Sequence, residues 1–228
     1  MVARITAFNS DISPASGSRR SGSQQVILDT AAKLFRQRGY ASVSLRDVAS
    51  KCGMKAGSLY YHFKSKDEIV SEVLRIGVYR TFEQVKASVE ALPPNATSRQ
   101  LLGAAILTHL QAILERQDYA SANVRIFGQV PAHIRAAHAG LREAYESYWD
   151  GILTLCVKRQ HGKRTTSEIH AARSFLIGAM NATLEWFDPE GSPIEQLAAE
   201  LADIFLGGVS SEWSTSPESA PQEVSLGY

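Results

Sequence analysis

Residues 44–66 read SLRDVASKCGMKAGSLYYHFKSK, and this run ends in two tyrosines, a histidine and a pair of lysines: Tyr60, Tyr61, His62, Lys64 and Lys66. Phenol, imidazole and ammonium groups donate hydrogen bonds to phosphate oxygens and to base edges. Ahead of them lie a short amphipathic segment and a glycine. That is the order in which a helix-turn-helix sets one helix against a duplex backbone and the next in the major groove. The chemistry implied is recognition of DNA and not bond breaking. The chain contains no Gly-rich phosphate loop, no GxSxG and no HExxH. His133 and His138 are five apart, which does not align two ligands on one helical face, and His161 and His170 flank a predicted turn without carboxylate or thiol partners. Catalysis, a metal and a cofactor are not expected.

The elements that must position this segment are helices. Ile27, Ala31, Leu34 and Phe35 form one apolar stripe that Gly39 ends. Leu45, Val48, Ala49 and Cys52 repeat at helical spacing, with Ser44 and Asp47 as a capping box and Gly53 as the stop. A short third helix runs from about Ala56 to Phe63, with Leu59 and Phe63 facing the core. Ser65 and Glu68 open a long fourth helix that Pro93 and Pro94 follow. The same start signal recurs at Thr97 with Gln100, at Thr165 with Glu168, and at Ser192 with Glu195. Pro131 is expected in the first turn of a seventh helix reaching Arg159, whose seam is Ile134, His138, Leu141, Tyr145, Tyr148, Ile152 and Leu155. No strand-period segment competes, so the fold class is all-α with about nine helices. Residues 1–22 are expected to be a flexible basic arm, and 211–228 a disordered tail.

Charge divides along the chain. Residues 1–66 carry eleven Lys and Arg against three acids, a net +8, and the remainder carries thirteen against twenty, a net −7. A basic head on an acidic body suits a head that meets phosphates. Cys52 and Cys156 each sit at an apolar helical position and read as buried thiols and not a disulfide. No run is long and apolar enough for a transmembrane helix, and the N-terminal residues lack a signal peptide's apolar core, so a cytoplasmic protein is expected.

The run AAKLFRQRGYASVSLRDVASKCGMKAGSLYYHFKSKDEIVSEVL resembles the N-terminal domain of the TetR family of transcriptional repressors over roughly residues 24–74. The resemblance implies a DNA-binding domain over 23–68 and an effector-binding and dimerisation domain over 69–210. It places Lys55, Ala56 and Ser58 nearest the base edges, with Gly57 allowing the backbone to approach. Tyr61 and His62 resemble the family's phosphate and thymine-methyl contacts. Tyr60 either joins them or packs against the first helix. Lys66, at a helix N-terminus, is placed to meet a phosphate. Ser44 and Arg46 would clamp the backbone, and Arg19 and Arg20 either enter a minor groove or stay solvated.

The same resemblance implies a homodimer through the eighth and ninth helices that reads a palindromic operator in double-stranded DNA. The apolar character of those helices, with Gly178, Ala179 and Ala182 allowing close approach, points the same way. It also implies a small-molecule effector pocket among helices four to eight, with His109, Phe127, Tyr145, Tyr148, Trp149 and Met180 as expected lining. The segment NATLEWFDPEGSPIEQLAAELADIFLGGV is similar to the C-termini of TetR-type regulators of lipid, sterol or acyl-CoA breakdown. Asn181, Trp186, Phe187, Pro189 and Gly191 carry that likeness and are assigned to interface and loop, not to the pocket. The expected activity is repression released by a largely apolar effector such as an acyl thioester. A ligand-independent scaffold or activator is the alternative.

Overall fold

The computed structural model describes residues 22–210 apart from residue 117 and residues 160–162. The arm with Arg19 and Arg20, the C-terminal tail and His161 lie outside the described residues. The rest is helical: α1 (Gly22–Arg38), α2 (Leu45–Lys51), α3 (Ala56–His62), α4 (Lys66–Glu90), α5 (Ser98–Gln111), α6 (Asp118–Ile126), α7 (Ala132–Ala137), α8 (Ala139–Arg159), α9 (Thr166–Trp186) and α10 (Ile194–Ser210). No strand occurs among the described residues, and none of their helices is long and apolar enough to cross a membrane.

Local chemistry explains most of the boundaries. Capping boxes form at Ser44–Asp47, Thr97–Gln100 and Thr165–Glu168. Ser65 caps α4 by accepting from the Glu68 N–H, but the Glu68 carboxylate turns to the Lys64 N–H at 2.7 Å, so that box is half made. Gly39 and Gly53 take φ +77° and +68°, left-handed turns that let α1 and α2 stop without strain. The last start falls later than Ser192 suggests: the Pro193 carbonyl accepts from the N–H groups of Gln196 and Leu197.

Among the described residues, ten α-helices stand where about nine were expected. The predicted seventh helix is two, because the chain leaves helical geometry at His138 (φ −103°, ψ 1°). Its ring reaches across to α4 and meets the Ser71 hydroxyl at 2.9 Å. Pro131 precedes α7 as its N-cap instead of lying in its first turn. A second interruption had no sequence signal: α5 continues into a π-helical turn over Ala112–Arg116.

Two apolar clusters hold the molecule. In the body, Trp149, Ile152 and Leu153 of α8 pack with Leu101, Leu102 and Ile106 of α5 and Ala198 and Ala202 of α10. In the head, Ile27, Leu28 and Phe35 of α1 enclose Val48, Leu59, Phe63, Ile69 and Val70. Leu59 and Phe63 are buried as their spacing predicts. Cys156 is buried, whereas Cys52 is only partly so, which corrects the expectation for that thiol; both are free. Tyr119, Ala122 and Ile126 of α6, with Val130 and Ile134, complete the head cluster.

Helix α6 reaches the head by pressing against α4. A β-carbon at Gly77 would lie 2.5 Å from the Tyr119 carbonyl oxygen and 3.2 Å from the Asn123 Cβ. Gly77→Ala must therefore push the two helices apart, and it should cost about 1–3 kcal/mol. Gly103, on α5, has nothing within 4 Å of an added β-carbon. Gly103→Ala should leave stability unchanged or raise it by about 0.5–1 kcal/mol. Urea unfolding of both variants checks this, and equal behaviour would show that the α4–α6 contact is not tight.

Candidate nucleic-acid interface and effector cavity

The head presents its polar groups on one side. Lys55, Gly57 and Ser58 are exposed at the start of α3, with Ala56 half-buried among them. Lys55 is the N-cap of α3 and makes no side-chain cap bond, so its ammonium is not tied to its own helix. Tyr60 is 53% exposed and Tyr61 88%. About half of the Tyr60 side chain is covered, so both readings of it stay open. The ring of His62 stands edge-on to that of Tyr61 at 5.3 Å between centroids. Arg46 is exposed on α2, while the Ser44 hydroxyl is engaged with Asp47 at 2.5 Å. Those bonds hold the Asp47 carboxyl below its ordinary pKa.

Lys66, expected to meet a phosphate, also makes contacts within the head. Its Nζ donates to the Tyr40 carbonyl at 2.5 Å and sits 3.9 Å above the Tyr40 ring. Burial lowers its pKa. The Tyr40 N–H donates to Gln129 Oε1 at 2.9 Å, so this corner joins α1, α4 and the segment after α6. More ties follow the same seam. The Tyr119 hydroxyl donates to Asp29 at 2.7 Å, Arg36 pairs with Asp118 at 2.9 Å, and His133 meets Asp67 at 3.1 Å.

On the opposite side of α6 lies a cavity of about 60 Å³ bounded by α4, α5, α6, α8 and α9. Gly77, Val78, Ile113, Ala120, Val124 and Ile177 give it an apolar wall; Thr81, His109, Asn123, Arg142, Tyr145, Glu146 and Asn181 add polar groups. His109 is the polar anchor. Its Nδ1 lies 2.7 Å from the Tyr145 hydroxyl and its Nε2 3.3 Å from Asn181 Oδ1. Asn181 Oδ1 only accepts, so Nε2 carries the proton and the Tyr145 hydroxyl donates to Nδ1. Burial drives the His109 pKa down to about 4, leaving the ring neutral at pH 7, and raises that of Tyr145.

Of the expected lining, the structure brings His109 and Tyr145 to the cavity. Tyr148, Trp149 and Met180 are spent in the body core, and Phe127 packs against the head cluster beneath the Arg142 guanidinium. They do not border this cavity. Asn181, assigned to interface and loop, instead faces the cavity. Arg142, Asn123 and Glu146 were missed. Arg142 lies three residues before Tyr145 and seven before Trp149, so a charge stood in the apolar face of α8, and that was the available signal. Asn123 offered none, since its role follows from packing between α4 and α6. His170 lies 3.4 Å from Asp150, so it does have a carboxylate partner. The described residues contain no group of three or more side chains fit to hold a metal.

A helix-turn-helix head, joined through α4 and α6 to a helical body with a half-open cavity, defines a one-component DNA-binding regulator. The model described as "Bacterial regulatory proteins, tetR family" matches residues 27–73, and "Tetracyclin repressor-like, C-terminal domain" matches residues 95–209. The HTH-type transcriptional repressor KstR2 of Rhodococcus jostii (strain RHA1) is 30% identical over 200 residues, 85% of this chain and 94% of that one. The ketosteroid transcriptional regulator KstR2 of Mycobacterium tuberculosis has a similar structure: TM-score 0.66 at 24% identity, over 87% of this chain and all of that one. So does AibR, solved in complex with isovaleryl coenzyme A and operator DNA, with TM-score 0.68 at 19% identity, over 81% and 96%. The chain belongs to the TetR family. It is a ligand-responsive, DNA-binding transcriptional regulator and not an enzyme.

The depressed His109 pKa sets a pH dependence. Between its ordinary value of 6.5 and about 4, the unfolded chain takes up a proton that the folded protein refuses. Stability therefore falls as pH falls through that window. From pH 7 to pH 5 this group should cost about 2 kcal/mol. Urea unfolding at the two pH values should show His109→Gln losing less stability than the wild type by that margin. Equal losses would mean that other groups set the dependence.

Proposed function

We propose that the chain is a homodimeric repressor that occupies a palindromic operator and is released by a small, largely apolar effector. One observation carries the reading: α6 has one face in the head core and the other on the cavity wall. The cavity of about 60 Å³ is too small for a lipid-sized molecule, so an effector must widen it. Widening moves α6 against α4 at the Gly77–Tyr119 contact, where neither backbone has slack. Helix α4 begins at Lys66 beside the DNA-facing surface, so the displacement alters the placement of the head. The effector must bind the wider state better, or it shifts nothing.

Dimerisation is assigned to α9 and α10. Phe175, Gly178, Ala182 and Trp186 form an exposed stripe along α9, and Ile204 is exposed on α10. A monomer's surface helix has no need of such a stripe. Two α3 helices then enter successive major grooves. Lys55, Ala56 and Ser58 face base edges, Gly57 permits approach, and Tyr60, Tyr61, His62, Ser44, Arg46 and Lys66 meet backbone and thymine methyls. The effector class, an acyl thioester or similar lipid-derived metabolite, is supported by the apolar cavity wall and by the C-terminal likeness to lipid regulators. The ligand-independent reading draws on the cavity's small volume. It predicts no change in stability or DNA binding with any member of that class.

Selection of sites from a random DNA library at two salt concentrations tests the DNA half. A palindromic consensus with half-sites about one or more helical turns apart is expected. Lys55→Ala should relax that consensus. Lys66→Met should weaken all sequences alike and reduce the salt slope by about 1, while also lowering the melting temperature through its Tyr40 contacts. Weak, steeply salt-dependent binding without a consensus would reduce the head to a generic phosphate binder.

A further inference from the structure

Arg142 is a half-buried cation without a close ion pair: Glu146, one turn along α8, acts on it through space and partly offsets the effect of burial. Among the described residues no carboxylate oxygen lies within 4.0 Å of its guanidinium nitrogens. Glu146 lines the same cavity one turn along α8, but it is paired with Arg173 at 3.0 Å. Of the five N–H donors of Arg142, the described contacts use one, from Nη1 to Asn123 Oδ1 at 3.3 Å. The guanidinium carbon sits 3.9 Å from the Phe127 ring centroid, a cation–π contact that restrains it and leaves the donors not used by Asn123 for a ligand. It also stands near the N-terminus of α8, a 21-residue helix with no acid in its first turn, where the helix dipole disfavours a cation and favours an anion. Withdrawing a cation from water without a partner is costly.

From this geometry, and resting on the ligand-gated reading above, we infer that Arg142 is the receptor for an anionic group on the effector and selects charged over neutral ligands. The ligand is an anionic amphiphile. Its apolar part lies along Val78, Ile113, Val124 and Ile177, and its carboxylate or phosphate meets those donors of the guanidinium. The receptor is wired to the head. Asn123, which accepts from Arg142, donates through Nδ2 to the Leu74 carbonyl of α4 at 3.0 Å, and Leu74 is buried in the head cluster. An anion that draws the guanidinium away removes the contact holding the Asn123 amide in place, at the level where α4 and α6 touch.

The test uses the full chain, with operator DNA recovered by site selection. Three probes of equal acyl length are compared: a medium-chain carboxylic acid, its coenzyme A thioester and its methyl ester. Thermal stability and operator release are the readouts. The charged probes should act on the wild type at concentrations about tenfold to a hundredfold below the ester. Acid against thioester shows whether a carboxylate or the phosphates supply the anion. Arg142→Met should abolish the preference, and because it removes the same Asn123 contact that the anion removes, it should also lower operator affinity without probe towards that of the probe-bound wild type. Arg142→Lys, which keeps the charge, should retain part of it. An ester as effective as both charged probes overturns the inference while ligand gating stands, and so does a full preference in Arg142→Met. If no probe acts, ligand gating itself falls and the inference with it.

Discussion

Helices α4 and α6 touch backbone to backbone at Gly77 and Tyr119, and the rest of the structure is arranged around that contact. Helix α6 has no interior of its own. Its Tyr119, Ala122 and Ile126 are buried with the DNA-facing head, while Ala120, Asn123 and Val124 border the body's cavity. A short helix clamped in this way cannot yield to one side without moving against the other, because packed interiors deform in discrete steps and not continuously. The polar ties along the same seam, from Tyr119 to Asp29, Arg36 to Asp118 and Gln129 to Tyr40, make head and body one mechanical unit at that edge.

The cavity's electrostatics follow from burial. His109 is kept neutral by desolvation and fixed as one tautomer by Tyr145 and Asn181, so this end offers hydrogen bonds without charge. Arg142 supplies a permanent positive charge elsewhere on the lining, since burial does not strip a guanidinium of its proton. The two kinds of polar group ask for different parts of one ligand. Beside them the Trp149 indole N–H is buried and, among the described residues, makes no well-formed hydrogen bond, with the Tyr145 hydroxyl as a polar neighbour.

The head works by contrast. Its apolar side chains are almost fully withdrawn, and yet Tyr61 stands nearly free in solvent beside His62 and the exposed Lys55. The Tyr61 ring meets that of His62 edge-on, and an exposed phenol of this kind is what the proposed DNA-facing surface calls for. Lys66 shows the opposite economy, because one ammonium both closes the α1–α4 corner and lies at the edge of that surface.

Whatever depends on neighbours along the chain was written in the sequence. Ser44, Thr97 and Thr165 reach N–H groups three residues away, Gly39 and Gly53 supply left-handed turns, and Leu59 and Phe63 follow from helical period. These interactions are local, so helix starts, the helix-turn-helix and its exposed polar residues were legible together with the family. What tertiary structure decided is everything set by contacts between distant segments. His138, where the helix breaks, bonds through its ring to Ser71, sixty-seven residues earlier. Tyr148, Trp149 and Met180 look like pocket residues by type, yet they fill the core, while Asn181 and Arg142 reach the cavity. One apolar face serves a cavity or a core equally well, and only the distance to the facing helix determines which.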